Sequence, residues 1–525
     1  MISENDRLEK NSLRSYPKGV DHTLNIIITT IMLAFGSCAV VSAEKPVDFA
    51  KEILPLLSDK CFVCHGPDTR KKDLVRLDSF EGATRDLGGY KAIDLKALSD
   101  SEIIVRMNDS DDPMPPENAE KQLTDEERKL IERWVKQGGN YAKHWAFVPP
   151  KKTSLPSKGH PIDAFVQKQF SEGVDFAVTA NNATIARRLA LVLTGLPPEP
   201  SLLEDFLNDN RVNAYERFVE QLLADPRYGE HQARYWLDAV RYGDTHGLHL
   251  DNRRGIYPYR DWVVRALNNN LPIDRFIEWQ LAGDLHSKPT TEQLIATGFV
   301  RMNPSTAEGG VIPAEFQAKN NFDRTETLGT VFLGMSMLCS RCHTHKYDPI
   351  TQTEYYQLMA FFNSTSEGPL DGNKYEYAPV IKVPKDQVSW NDWLKLTVER
   401  DELLSDAASI FNNVKSSRSD TKKKWSQSDE VARLAMVVDE KKEWKNNALS
   451  IYKDAKDLSK LIENAQKAFT TTMIAKELGK PRDTKLLDRG EYNLPVGDTL
   501  RPGVLKVMGA LPEGAPRNRL GLAKW

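Results

Sequence analysis

The sequence predicts a mainly α chain: a small helical domain, a larger helix-rich domain, and a helical hairpin inserted between two short strands. Three observations predict it. Apolar residues recur at mixed three- and four-residue spacing through most of the chain, as the buried face of a helix requires. Start and stop residues punctuate those runs, among them a capping box from Thr124 to Glu127 and the breakers Gly138, Gly139 and Pro226. Two β-branched runs, 376–384 and 470–478, flank the charged, helix-rich stretch 388–469, so that stretch reads as a hairpin between paired strands.

A chain of 525 residues calls for two or three domains. A hydrophobic share of 40% against 28% charged suits a globular core, and a formal net charge of -3 excludes the basic surplus of a nucleic-acid binder. Residues 1–43 read as a leader. A polar segment with Arg7, Lys10, Arg14 and Lys18 precedes the apolar run 24–41, and Ala43 ends in a small-residue cleavage site. An uncleaved leader would instead attach the protein to a membrane. Cys38 is a poor lipoprotein cysteine, because Phe35 stands three positions before it. Either way the rest of the chain is expected to be exported, to the periplasm or cell surface. The expected organisation is a first domain at 44–142, a Pro- and Lys-rich linker at 143–161, and a helix-rich domain at 162–370. The strand pair with its inserted hairpin follows at 371–500, and a last segment covers 501–525.

In the first domain Val47, Phe49, Ile53, Leu54 and Leu57 have the spacing of a short amphipathic helix. It leads into Cys61-Phe62-Val63-Cys64-His65. Two thiols three positions apart can form thioethers along one edge of a haem, and the adjacent histidine then lies beneath the iron as proximal ligand. The motif recurs as Cys339-Ser340-Arg341-Cys342-His343, so the two pairs use every cysteine after the leader. A short-loop disulfide and a zinc half-site are the alternatives. A four-cysteine zinc site would leave both histidines unexplained. Further on, Asp112-Pro113-Met114-Pro115-Pro116 holds the backbone stiff around one methionine, a good way to present a thioether opposite His65. Met107 is its rival, but the preceding Ile103, Ile104 and Val105 suit it to a core. A helix with Leu130, Ile131, Trp134 and Val135 on one face closes the domain. Helix, haem motif, methionine loop and helix together read as a cytochrome c fold.

The second domain offers a run capped by Thr184 with Ala186, Leu189, Ala190 and Leu193, then one with Phe218, Val219, Leu222 and Leu223. The aromatics between Tyr235 and Trp262 read as core. His246 and His249 share a Gly-rich turn with Asp244 and Asp251, and Glu308, Glu315, Asp323, His345 and Asp348 precede or follow the second motif. Two readings compete. Either His246 or His249 supplies the distal ligand of a second haem, or these residues form a separate metal or substrate site. Surface turns and ion pairs are the plain alternative. His345 is too close to His343 to reach the other face of the same haem, though it could line the pocket.

The sequence resembles the planctomycete-type secreted proteins that join a cytochrome c domain to domains of unknown function. The resemblance rests on Ile53-Leu54-Pro55, Cys61 to Gly66, Met114-Pro115-Pro116 and His144-Trp145-Ala146-Phe147. It continues through 193–198, 235–251, Pro258 to Trp262, Gln280 to Asp284, Thr297 to Phe299, Glu308 to Gly310, Asp323-Arg324 and Cys339 to Pro349, and resumes at Arg489-Gly490-Glu491-Tyr492. It implies haem binding and electron transfer for the first domain and leaves the second without an assigned activity. Such proteins continue into a further domain. Here Arg519 to Trp525 reads as its opening helix, and the expectation is that a third, C-terminal domain is missing.

Two functions follow as expectations. The first is an exported electron-transfer protein with one His/Met haem c, a second covalent haem and an unknown redox partner, serving an oxidoreductase site of unknown substrate. The second is a cell-surface binding or scaffold protein with one accessory haem and a structural cysteine clip. A hydrolase of environmental polymers is a third idea, resting on export and domain mixing alone.

Overall fold

The computed structural model describes residues 45–69, 74–248, 250–413, 419–439 and 448–525. The leader and His249 therefore lie outside the described residues. The fold is mainly α, with two two-stranded sheets among the described residues. None of the described helices is long and apolar enough to cross a membrane.

The first domain grows from its caps. Asp48 accepts from the Lys51 amide and opens a π-turn, Phe49–Ile53, which passes directly into the helix Leu54–Lys60. Phe49, Ile53 and Leu57 from this segment are buried against Ile104, Met107, Ile131, Trp134 and Val135. Met107 is thus core. The closing helix Asp125–Lys136 carries the expected capping box, with Thr124 and Glu127 satisfying each other's amides. Gly139, at a φ of 56°, turns the chain so that Asn140 can accept from the Trp134 indole at 3.0 Å.

The next helix, Asn182–Thr194, is capped one turn earlier than expected. Asn181 accepts from the amide of Thr184, so Thr184 is the donor to the cap and not the cap itself. Asparagine's planar carbonyl serves as well as a threonine hydroxyl there, and Asn181 itself has the extended backbone of a cap. Pro226 follows the helix Ala214–Leu223 and opens the next one, Pro226–Ala239. Tyr259 and Trp262 are fully buried in the main core with Phe276, Phe299, Tyr355, Tyr356, Phe361 and Phe362, whereas Tyr235 is exposed.

The expected strands pair. β1 (Val380–Val383) lies antiparallel to β2 (Thr470–Met473), with Val380 opposite Met473 and Val383 opposite Thr470. Pro379 and Pro384 limit β1, since neither can donate to the ladder. The insertion is more than a hairpin. Gln387–Asn413 and Leu449–Lys467 pack on each other, and Glu430–Asp439 joins them around a separate core that includes Leu404, Ala407, Val437, Ala455 and Leu458. A second sheet, β3 (Thr484–Leu487) with β4 (Pro495–Leu500), is absent from the sequence-based expectation.

Buried arginines tie these parts together. Arg301, almost wholly buried, donates to the carbonyls of Ile474 at 2.7 Å, Tyr377 at 3.1 Å and Pro379 at 3.2 Å, clamping the β1–β2 sheet to the helices. Residues 501–525, expected to begin a further domain, pack into this same core through Leu505 and Leu522. Arg519, with no exposure, makes two bonds of 2.9 and 2.6 Å to the Asp284 carboxylate and a third to the Leu281 carbonyl. Removing one partner of a buried pair leaves the other charged and unsatisfied. Arg519→Leu is therefore expected to destabilise the second domain by about 3–5 kcal/mol, read by denaturant unfolding. Pairing it with Asp284→Leu should recover much of the loss.

Candidate functional site: two facing cysteine–histidine motifs

The first motif follows directly from the helix Leu54–Lys60. Its second half forms a single turn, Phe62–His65, and the chain leaves at Gly66, where a Cβ would sit 2.4 Å from the Phe62 carbonyl oxygen. No larger residue could follow the histidine in this turn. Cys61 lies half-buried against the first core, and burial pushes its thiol up to about 12. That opposes the thiolate which zinc binding or thiol exchange needs. Cys64 and Val63 face outward. The segment after the motif returns over the histidine: Leu77 donates to the His65 carbonyl at 2.8 Å, and His65 Nδ1 donates to the Val75 carbonyl at 3.0 Å. A carbonyl can only accept, so Nδ1 carries the proton and Nε2 keeps its lone pair for a metal. Met114 sits half-buried on a loop whose amide bonds the Arg106 carbonyl at 2.9 Å, while Arg106 grips Glu102 and Asp112.

The second motif sits on a 3-10 turn, Leu338–Arg341, with Ser340 fully inward and both cysteines exposed. It is braced from behind. Arg341 bonds Glu326 at 2.5 Å and stacks over Phe322 at 4.4 Å, and Tyr355 donates to the same carboxylate at 2.8 Å. Tyr356 and Gln352 both donate to the Arg341 carbonyl, at 3.0 and 3.1 Å. His343 Nδ1 donates to the Thr344 carbonyl at 2.7 Å, again leaving Nε2 as the coordinating nitrogen. The thiol of Cys342 donates to the carbonyl of Arg489 at 3.2 Å. Arg489 and Gly490 both have positive φ, and a Cβ on Gly490 would meet Arg341 at 2.9 Å and the Cys342 sulfur at 3.3 Å. The four thiols are free.

The two motifs face each other. Asp68, three positions after His65, accepts from both the amide and the hydroxyl of Thr344, at 2.9 and 2.6 Å. Asp59, just before Cys61, binds Lys346 at 2.5 Å and Lys121 at 2.6 Å, and these two ammonium groups hold its carboxyl down to about 2. His144 at the junction lies 3.8 Å from Asp348. Three residues of chain and one side-chain contact keep the Cα atoms of His65 and His343 within about 20 Å of each other.

The remaining candidates scatter. His345 is held beside the second motif, its Nδ1 accepting from the amides of Tyr347 and Asp348 at 3.3 and 2.8 Å, and burial lowers its pKa against the pull of Asp348. His246 is buried elsewhere in the second domain. Its Nε2 donates to the Lys374 carbonyl at 2.7 Å and its Nδ1 faces Asp371 at 3.8 Å. Asp244 accepts from the Tyr242 hydroxyl at 2.5 Å, and Asp251 accepts from the Gly247 amide at 2.8 Å to close the turn. Asp323 pairs with Arg241, Glu315 pairs with Lys319 at 2.5 Å, and Glu308 is exposed. Asp59 and Asp68 carry no motif that would have marked them in the sequence. Thr344, Lys346 and Arg489 lie within the stretches that carry the resemblance, which gave no role for any of them.

Comparison with known families bears on this geometry. Residues 61–118 match the family described as Planctomycete cytochrome C. The first domain is a c-type cytochrome-like domain. Residues 161–367 match a protein of unknown function, DUF1549, in the order that the sequence motifs suggest. The cytochrome match implies haem c binding and covers Cys61, Cys64, His65 and Met114, while the second motif lies within the family of unknown function. No curated protein and no solved structure matches the chain.

Two outcomes test the site's construction. Asp59 has a depressed folded-state pKa, so its contribution is complete above its ordinary value of 3.8 and is lost as pH falls towards about 2. Asp59→Asn should lower the melting temperature at pH 5, with the difference from the wild type closing as acid is added. Gly490→Ala, at a φ of 76°, is expected to cost about 1 kcal/mol and to speed alkylation of Cys342 by displacing the Arg489 carbonyl.

Proposed function

We propose that this chain is an exported electron-transfer protein with two covalent haems: one on Cys61 and Cys64, the other on Cys339 and Cys342. The observation that carries the reading is the facing pair of motifs, each with its histidine Nδ1 tied to a backbone carbonyl and its Nε2 left for iron. Haem supplies one-electron redox chemistry, and its potential rises when a methionine thioether stands opposite histidine. His65 and Met114 would hold the first iron. His343 would hold the second, with the distal ligand coming from elsewhere in the second domain. The protein's own part is positional. The Val75 and Thr344 carbonyls orient the two imidazoles, and the braces behind Arg341 keep the second motif from shifting when charge changes at its face. Closeness of the motifs favours direct transfer between them, with an external redox protein or an oxidoreductase site at one end of the chain.

The bond from the Cys342 thiol to the Arg489 carbonyl favours a second reading, in which the second pair is a structural clip and the protein a surface scaffold with one haem. Haem counting separates the two. Expressed with a c-type maturation system, the protein should carry two covalent haems by intact mass and pyridine haemochrome. Cys61→Ser with Cys64→Ser should leave one, and His343→Ala should change the spectrum of that one. A single haem, lost with Cys61 and Cys64, would sink the two-haem reading and leave the clip.

A further inference from the structure

Among the described residues, the two facing domains share no apolar core. The first domain's cluster gathers residues from Val47 to Tyr141, and the second domain's clusters begin at Ala186. What holds the motifs together is polar: Asp68 with Thr344, Asp59 with Lys346 and the Tyr347 hydroxyl, and His144 near Asp348. Between the domains, every residue from 148 to 160 is exposed, and the stretch includes Pro149, Pro150 and Pro156. A proline-rich tether of this length reaches about 40 Å. It therefore keeps the first domain close without fixing its position.

Exposed and half-exposed ion pairs contribute about 0–1 kcal/mol each and are screened by salt. Among the described residues the contact consists of one such pair, Asp59 with Lys346, together with the Thr344 and Tyr347 hydrogen bonds and His144 near Asp348; closed by a tether, it stands near balance between docked and released. Release would uncover the face that carries the first cysteine motif, with Asp59 and Asp68 on either side of it. Lys346 shows what that face accepts: an ammonium group shared onto a carboxylate that Lys121 already flanks.

We propose that the first domain docks reversibly on the second through Asp59 and Asp68, and that the same two carboxylates, once released, receive a redox protein presenting lysine side chains. Naming the partner as a redox protein rests on the function proposed above, whereas the docking itself does not depend on haem. Because one face serves both contacts, the external partner and the second domain compete. The first domain then works as a tethered carrier, loaded at one contact and unloaded at the other.

Small-angle scattering on the full chain tests this, with haem counted by intact mass in every sample so that docking and haem content are read separately. The radius of gyration should rise by several ångströms between low salt and about 1 M NaCl, where screening acts within about 3 Å. Lys346→Glu should expand the chain at low salt, and adding Asp59→Lys should make it compact again. A synthetic oligolysine peptide should expand the wild type but leave an Asp59→Asn, Asp68→Asn variant unchanged. A chain equally compact at all salt concentrations, or unaffected by Lys346→Glu, would overturn reversible docking. Expansion by salt without any response to oligolysine would overturn the shared face. Retained cooperative thermal unfolding of each domain in the variants ensures that expansion is undocking and not loss of fold.

Discussion

Asp68 reaches across from the turn after the first motif and takes two hydrogen bonds from Thr344, the residue that follows His343. Without that contact and its neighbour, Asp59 on Lys346, the two cysteine–histidine turns would be separate features of separate domains. With them, each motif becomes part of the other's surroundings. Both carboxylates lie within three positions of their own motif, so the turn that presents the cysteines also presents the docking groups. Position in the turn thus couples chemistry to assembly.

The second domain is built to keep its half of this arrangement still. Arg341 is held at its side chain by Glu326 and Phe322 and at its carbonyl by Tyr356 and Gln352, so the turn between the cysteines is gripped from both ends. Deeper in, Arg301, Arg324 and Arg519 are buried with their terminal guanidinium donors on carbonyls and on Glu367 and Asp284, while Nε of Arg301 and of Arg519 is buried without a partner among the described residues. Buried ions of this kind are poor sources of net stability, because desolvation offsets most of their attraction, yet they penalise any arrangement that leaves one unpaired. They join distant segments: Arg301 connects 301 to 474, and Arg519 connects 519 to 284. The contrast with the loosely tethered first domain is physical. Many bonded buried groups hold the scaffold, and one half-exposed ion pair with a few hydrogen bonds holds the docking.

Much of this was legible in the chain. The capping box at Thr124, the amphipathic run ending at Leu57 and the strands around 380 and 471 all follow from local chemistry, and the structure has them. Misreadings arose where local signals were ambiguous. Asn181 and Thr184 are both good caps, and only the extended backbone at Asn181 decides between them. The β3–β4 sheet escaped because Pro495 and Gly497 weaken its strand pattern and an irregular register after Thr484 breaks the alternation. The insertion looked like two helices because its charged faces carry no clear break in composition, yet Glu430–Asp439 contributes Leu434 and Val437 to a third layer.

By itself the sequence determined which side chains each motif brings together, since two thiols and a histidine at fixed spacing need only one turn of local backbone to lie side by side. It also determined which helices have an apolar face, because periodicity and caps are local properties. Only the tertiary structure decided that the motifs meet, that the Arg489 carbonyl bonds the Cys342 thiol, and that His246 is enclosed beside Asp371. Those contacts join residues separated by most of a domain or more, and no spacing rule links Asp59 to Lys346. They arise where packed cores happen to set two surfaces side by side, which is a property of the whole chain's burial and not of any segment within it.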